Sequence, residues 1–329
     1  MKRLLLILIT VILFSCNKYK TIGTIEKFDP ALDSIISKDA KVEMIADSFH
    51  WSEGPVWIEN MKMLLFSDIP ANTIYKWTEE KGKEIYLKPS GYTGSAKRGG
   101  ETGSNALLLN KDGKLVLCQH GNRQMAMMDA PLDDPKPIFK TIAGTYQSKK
   151  FNSPNDAVYR SDGSLFFTDP PYGLEKNMDD PLKEIPFQGV YKVDPSGKVK
   201  LLTDSITRPN GIAFMPGEKT LLIGNSDGDK PFIYAYDLDA NDSLINPRIF
   251  CNGAALPGSD KGGFDGMKVD KNGNVYTAGP GGIWILNKDG KALGEIKLSV
   301  RNSNCALMPS EKTIFITADM YLLRVKMRE

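Results

Sequence analysis

Short apolar runs alternate with polar turns along almost the whole chain, and they do so in one repeated order. The clearest instance runs from Phe151 to Gly173. A polar head (Asn152, Asn155, Asp156) precedes a short apolar strand, a Ser161-Asp162-Gly163 turn follows, and Leu165 to Thr168 read as a second strand. Asp-Gly supplies the positive-φ positions of a tight hairpin turn, so each such phrase predicts a β-hairpin. Five other segments carry the phrase. Ser52-Glu53-Gly54-Pro55-Val56-Trp57 precedes Met63–Asp68; Ser104-Asn105-Ala106-Leu107 precedes Leu115–Cys118; Pro209-Asn210-Gly211-Ile212 precedes Leu221–Ile223; Phe264-Asp265-Gly266-Met267 precedes Val275–Thr277; and Ser303-Asn304-Cys305-Ala306 precedes Ile314–Ile316.

Every phrase starts with one carboxylate or amide: Glu53, Asn105, Asn155, Asn210, Asp265 and Asn304, separated by 52, 50, 55, 55 and 39 residues. A β repeat of roughly 40–50 residues marks a propeller blade. The expected fold is therefore all-β, a single six-bladed β-propeller with four-stranded sheets around a central channel. The last repeat has room for only three strands, Cys305–Leu307, Thr313–Thr317 and Tyr321–Lys326. The strand-like run Lys41–Ala46 is expected to complete it and cover its edge. Residues 16–40 read as a tether and approach, with one helical turn within Ala31–Ser37, and residues 41–329 as the propeller.

If each head begins the innermost strand of its blade, six oxygen-bearing side chains meet at one end of the channel. That is a donor set for a hard divalent cation. Asn, Asp and Gly before strands are also ordinary turn formers, but six in register, both acids included, favour convergence. A cation held by two acids and several amides keeps open positions, polarises a carbonyl and acidifies water, which suits hydrolysis of an ester or lactone. Nucleophilic alternatives are weaker. No Gly-x-Ser-x-Gly elbow is present, and a triad would have only His50 and His120 to draw on. His50 reads as structural, His120 as facing the channel, and Arg123 as a brace between strands. The Gly-rich segment Pro89–Gly103 and the insertion Pro170–Gln188 are expected to overhang the mouth.

Met1-Lys2-Arg3, the apolar run Leu4–Phe14 and then Ser15-Cys16 read as a lipoprotein leader over residues 1–15 with Cys16 as the acylated residue. The expected location is outside the cytoplasm, lipid-anchored in the bacterial cell envelope, with the lipid as the contact to the membrane. Without Lys2 and Arg3, 42 basic residues become 40 against 40 acidic ones, which gives no electrostatic case for nucleic acid. Cys118, Cys251 and Cys305 are an odd set and no disulfide framework; Cys118 and Cys305 read as core residues.

Ser52-Glu53-Gly54-Pro55-Val56-Trp57, Asn152-Ser153-Pro154-Asn155-Asp156, Asp169-Pro170-Pro171-Tyr172-Gly173, Pro209-Asn210-Gly211 and Asp265-Gly266-Met267 resemble the motifs of the regucalcin/gluconolactonase (senescence-marker-protein-like) family over nearly the whole mature chain. The resemblance implies a metal-dependent hydrolase opening sugar lactones, with one divalent ion in the channel. It implies Glu53, Asn210 and Asp265 as metal ligands, Asp265 also as general base, and Asn155 at the metal or on the substrate. Ca²⁺ stands first among the ions, with Zn²⁺, Mg²⁺ or Mn²⁺ as alternatives. Asn105, His120, Asn152, Asp156 and Tyr172 complete the expected substrate contacts, and a monomer is expected. Ser153 stands where animal members carry Arg, and Asn105 with His120 cannot supply a paraoxonase-like His pair. The alternative is a non-catalytic, metal-containing sugar-binding propeller on the cell envelope.

Overall fold

A computed structural model describes residues 18–258 and 260–328. The leader and Cys16 lie outside the described residues. Six antiparallel sheets stand around one axis. Blade one holds Ser52–Ile58, Met63–Asp68, Thr73–Thr78 and Gly82–Leu87, and blade two Ser104–Leu109, Leu115–Gln119, Gln124–Met128 and Phe139–Ala143. Blade three holds Ala157–Tyr159, Leu165–Asp169, Gly189–Val193 and Val199–Thr203, and blade four Pro209–Phe214, Thr220–Asn225, Phe232–Leu238 and Leu244–Asn252. Blade five starts with Met267–Val269 and continues through Val275–Gly279, Gly282–Leu286 and Ala292–Lys297. Blade six holds Asn304–Leu307, Thr313–Ala318 and Tyr321–Lys326. The first strands of successive blades touch one another in a closed ring, so they are the innermost strands.

The ring closes as the chain pattern predicts. Val42–Ala46 pairs antiparallel with Tyr321–Lys326, placing Glu43 opposite Arg324. Arg324 is buried, donates to Glu43 at 2.7 Å from Nε, and lies 5.5 Å over the Trp77 ring of blade one. The segment read as an approach is more closely built into the propeller than its composition suggests. Lys20–Thr21 adds a fifth strand to blade six, and Thr24–Lys27 adds a fifth to blade five, along Ala292–Lys297. Lys20–Thr21 is polar and exposed, and Thr24–Lys27 turns only Ile25 toward the core, so no alternation announces them. The expected helical turn is a 3-10 turn, Pro30–Ser34, whose Leu32 plugs the core between blades five and six.

Apolar cores fill the wedges between blades. Phe151, Phe167 and Tyr191 pack edge-to-face and stacked in one of them. The free thiols of Cys118, Cys251 and Cys305 are buried. Arg123 braces as expected, donating from Nε to the Phe151 carbonyl at 2.6 Å and from Nη1 to the Leu182 carbonyl at 2.7 Å.

Candidate active site

The innermost strands present their first residues to one end of the channel because buried hydroxyls and backbone groups lock the heads to one another. Ser67 of blade one donates to the Asn105 carbonyl of blade two at 2.8 Å, and Thr168 of blade three to the Asn210 carbonyl of blade four at 2.8 Å. Ser303 of blade six donates to the Ser52 carbonyl of blade one at 2.7 Å, and the Ala106 amide to the Asn155 carbonyl at 3.0 Å. The glycine that follows a head leaves room for the next one. A Cβ on Gly54 would lie 2.2 Å from the Asn105 carbonyl oxygen, and one on Gly211 would lie 2.2 Å from that of Asp265. Real side chains never approach that closely, so Glu-Gly and Asn-Gly at these positions are a packing requirement of the ring as well as turn chemistry.

The result is a cavity of about 370 Å³ lined by Glu53, Asn105, Asn155, Asn210, Asp265 and Tyr172, together with Trp51, Ile69, Glu101, Arg208, Ser226 and Arg301. The structure thus brings together the four expected ligands, one expected amide and Tyr172. Tyr172 reaches across the mouth to within 2.6 Å of the Ser226 hydroxyl. Asn105 Oδ1, Asn210 Oδ1 and Asp265 Oδ1 are out of solvent and without a hydrogen-bond partner. Buried polar atoms ordinarily find partners, and three orphaned oxygens around one cavity are the donor chemistry of a hard cation. Among the described residues no group of three His, Cys, Asp or Glu side chains forms a metal cluster. The donor set here is mixed, two carboxylates with amide oxygens.

Charge tells the same story. Burial, then the neighbouring Asp265 and Asp156, holds the Glu53 carboxyl well above the usual carboxylate range. Burial, then Asp156 and Glu101, pushes Asp265 up to about 8. Carboxyls crowded together out of water resist ionising together, and a bound cation removes that resistance. Glu53 is held in place by the Gly54 amide and by Asn304, whose Nδ2 donates to Glu53 Oε2 at 3.1 Å. Asn304 in turn accepts from the Cys305 amide at 2.8 Å and from Lys268 at 3.4 Å. The sixth head therefore braces Glu53 rather than lining the cavity.

Three expected substrate contacts take other places. His120 is wholly buried behind Asn105, with Nε2 3.4 Å from Asn105 Nδ2 and Nδ1 3.1 Å from Glu101. Asn152 is also wholly buried and donates to the carbonyls of Asp169 at 3.1 Å and Phe187 at 2.8 Å, fixing the root of the Pro170–Gln188 insertion. Asp156 points down the channel and lines a wider cavity of about 670 Å³ at its far end. That cavity is the larger one, but its walls are mainly apolar; Asp156 Oδ2 is one orphaned oxygen there, whereas those of Asn105, Asn210 and Asp265 are gathered at the other end. Burial raises Asp156, against the lowering influence of Lys268. Ser153 ties the overhanging loop, donating to the Pro170 carbonyl at 2.6 Å and accepting from the Gly173 amide at 2.9 Å. Arg98 of the Gly-rich loop donates to the Gly173 carbonyl at 3.0 Å, so the two overhanging loops are joined.

Sequence reading passed over Trp51, Glu101, Arg208 and Arg301. A signal was available: each lies two to four positions before a head, where the chain turns over the rim.

Residues 51–319 match the SMP-30/gluconolactonase/LRE-like region. The chain is 39% identical over 313 residues to a gluconolactonase of Zymomonas mobilis, covering 93% of this chain and 86% of that protein. A lactonase of Staphylococcus saprophyticus is 27% identical over 230 residues, 65% of this chain and 64% of that protein. Among solved structures, a gluconolactonase from Xanthomonas campestris superposes with a TM-score of 0.79 at 26% identity, over 94% of this chain and 97% of that one. A calcium-binding regucalcin from Agrobacterium tumefaciens shares the fold, with a TM-score of 0.65 at 17% identity over 87% of this chain and 94% of that one. Matched across all six blades, from Trp51 to Asp319, the chain belongs to the SMP-30/gluconolactonase/LRE-like family.

Proposed function

We propose that this protein is a metal-dependent lactonase that opens a sugar lactone of the gluconolactone type. The observation that carries the reading is the cavity in which Glu53, Asn155, Asn210 and Asp265 meet and in which Oδ1 of Asn105, Asn210 and Asp265 is buried without a partner. The similarity to gluconolactonases over most of both chains supports the substrate class. Those four residues would hold one divalent cation. The all-oxygen donor set puts Ca²⁺ first, with Mg²⁺, Mn²⁺ or Zn²⁺ as the other candidates. When bound, the ion supplies positive charge that polarises an ester carbonyl and acidifies a water.

The chain's own residues do the rest. Asp265 takes a proton from the attacking water as the water oxygen bonds to the carbonyl carbon; the ring C–O bond then breaks and the proton passes to the released ring oxygen, giving a hydroxy acid. Asn304 and the Gly54 amide keep Glu53 fixed, and His120 orients Asn105 toward the cavity. Tyr172, Ser226 and the joined loops wall the mouth against bulk water. We also propose that the protein is exported and lipid-anchored through Cys16. The first strand begins at Lys20, so the anchor would hold the propeller close to the membrane.

Asp265→Asn keeps an oxygen donor and loses the proton acceptor. It is expected to lower kcat at least about a hundredfold, with a smaller change in KM, and to retain part of its metal. Glu53→Gln is expected to lower metal content measured by elemental analysis. Near-wild-type kcat for Asp265→Asn at saturating metal would leave Asp265 a ligand only. Wild-type metal content in both variants would overturn the ligand set. Metal-loaded protein that binds sugars yet opens no aldonolactone would make it the non-catalytic propeller.

A further inference from the structure

The rim of the metal-binding mouth carries two guanidinium groups that the catalytic reading does not use. Arg208 stands two residues before the ligand Asn210, and Arg301 three before Asn304; both are exposed and both line the cavity with Glu53 and Asp265. Among the described residues, neither has a carboxylate within ion-pair distance. The contact recorded for Arg301 is the face of Trp51, 5.2 Å from its guanidinium carbon. Arg208 neighbours Tyr172 and helps to lower its phenol against the upward effect of burial. By contrast, Arg123 of blade two and Arg98 of the Gly-rich loop are committed to backbone carbonyls. Arg160, Arg248 and Arg324 each sit on a carboxylate.

The cavity's charge gives the pair a direction. Its lining carries three carboxylates (Glu53, Glu101, Asp265) and two guanidiniums. With one dication bound and these carboxylates ionised, the lining is net positive by one charge, and Asp156 beside Glu53 and Asp265 brings the balance no lower than zero. A neutral polyol lactone makes no use of that charge. A second lobe of about 340 Å³ opens beside the mouth past Ser226, Asp265 and Arg301, lined by Gly262, Gly263 and Pro280 with one further charge of each sign, Asp260 and Lys261. Arg301 stands where the lobes meet, so a substituent extending from the lactone ring passes it. A planar guanidinium stacked on an aromatic ring is pre-organised to take a carboxylate or phosphate through two parallel hydrogen bonds.

We propose that Arg208 and Arg301 form an anion clamp and that the preferred substrate is a sugar lactone bearing a second anionic group, a carboxylate or a phosphate, remote from the ester that is opened. This rests on the lactonase reading, which supplies the ring and its orientation toward the metal ligands.

The test uses the purified metal-loaded protein and three matched substrates: glucono-1,5-lactone, its 6-phosphate, and the corresponding lactone of the six-carbon diacid. The quantity read is the ratio of kcat/KM for each charged lactone to that for the neutral one. A ratio of about tenfold or more is expected for at least one charged lactone, and which one exceeds it distinguishes phosphate from carboxylate. Arg208→Gln and Arg301→Gln are each expected to reduce that ratio by about tenfold, mainly through KM of the charged lactone. Raising ionic strength should shrink the ratio in the wild type more than in the double variant. A wild-type ratio near one, with good turnover of the neutral lactone, overturns the clamp and leaves the lactonase reading standing. A high ratio that survives both substitutions also overturns it. Failure to open any of the three lactones overturns the lactonase reading itself.

Discussion

Glu295→Gln isolates one electrostatic cost in this fold. Glu295 sits in the fourth strand of blade five, only 2% exposed. The added N-terminal strand places Glu26 directly opposite it in register, and Trp284 flanks it on the other side. Like charges facing each other across a ladder destabilise a sheet. Burial first, then Glu26 and Asp260, outweigh the helpful Lys297 and push the Glu295 carboxyl from 4.5 to about 7. A carboxyl whose pKa is raised on folding favours the folded state below its unfolded value and loses that benefit as pH rises through the folded one. The window is therefore pH 4.5 to about 7. At about 1.4 kcal/mol per tenfold change, the full shift is worth about 3 kcal/mol, and relaxation around the charged carboxylate reduces it to about 1–2 kcal/mol. Glutamine keeps the shape and removes the charge. Urea unfolding should show Glu295→Gln more stable than the wild type by about 1–2 kcal/mol at pH 8 and within about 0.5 kcal/mol of it near pH 4.5. An equal gain at both pH values, or none at pH 8, would refute this account of the Glu26–Glu295 pair.

Asn304→Ala removes the brace on Glu53 without changing charge. Groups that orient metal ligands typically control affinity by 10–100-fold, so calorimetric titration should show divalent-ion binding weakened about tenfold, and a Kd within about twofold of wild type would reduce Asn304 to filler. For the anchor, Cys16→Ser should abolish incorporation of a labelled fatty acid in the native host, and persistent labelling would show that Cys16 is not the acylated residue.

The architecture and the ring of heads were both legible because they rest on local signals that repeat. The hairpin turns around Gly113, Gly163, Gly217 and Gly273 all place glycine at positive φ, which is why Asp-Gly, Asn-Gly and, in blade four, Pro216-Gly217 marked the blades. In the last blade Glu311 takes that conformation without a glycine, and there only the strand pattern gave the hairpin away. Convergence of Glu53, Asn155, Asn210 and Asp265 was legible because propeller geometry converts spacing into position. What spacing cannot encode is depth. Asn152 and Asn155 look equivalent in sequence, yet one is spent on the carbonyls of Asp169 and Phe187 while the other reaches the cavity. His120 was recognised as near the site, but burial of the ring behind Asn105 depends on the Gly-rich loop folding back over the end of the second strand of blade two, where Gln119 donates to the Ser90 carbonyl, and no short pattern records it. Lys20–Thr21 and Thr24–Lys27 were read as an approach because edge strands exposed to water need no apolar alternation.

The strand that completes the sixth blade imposes an order of events. Val42–Ala46 is among the first parts of the propeller to be synthesised, and its partner Tyr321–Lys326 is among the last; Glu43 and Arg324 are 281 residues apart. Closing a loop of that length costs on the order of 5 kcal/mol in chain entropy before any contact repays it. A partly made chain therefore has no ring, and blades that form early wait with two open edges. The same geometry leaves no half-built site: Glu53 and Asn304, neighbours in the finished mouth at 3.1 Å, lie at opposite ends of the reading order, so the polar end of the channel is complete only when the whole chain is.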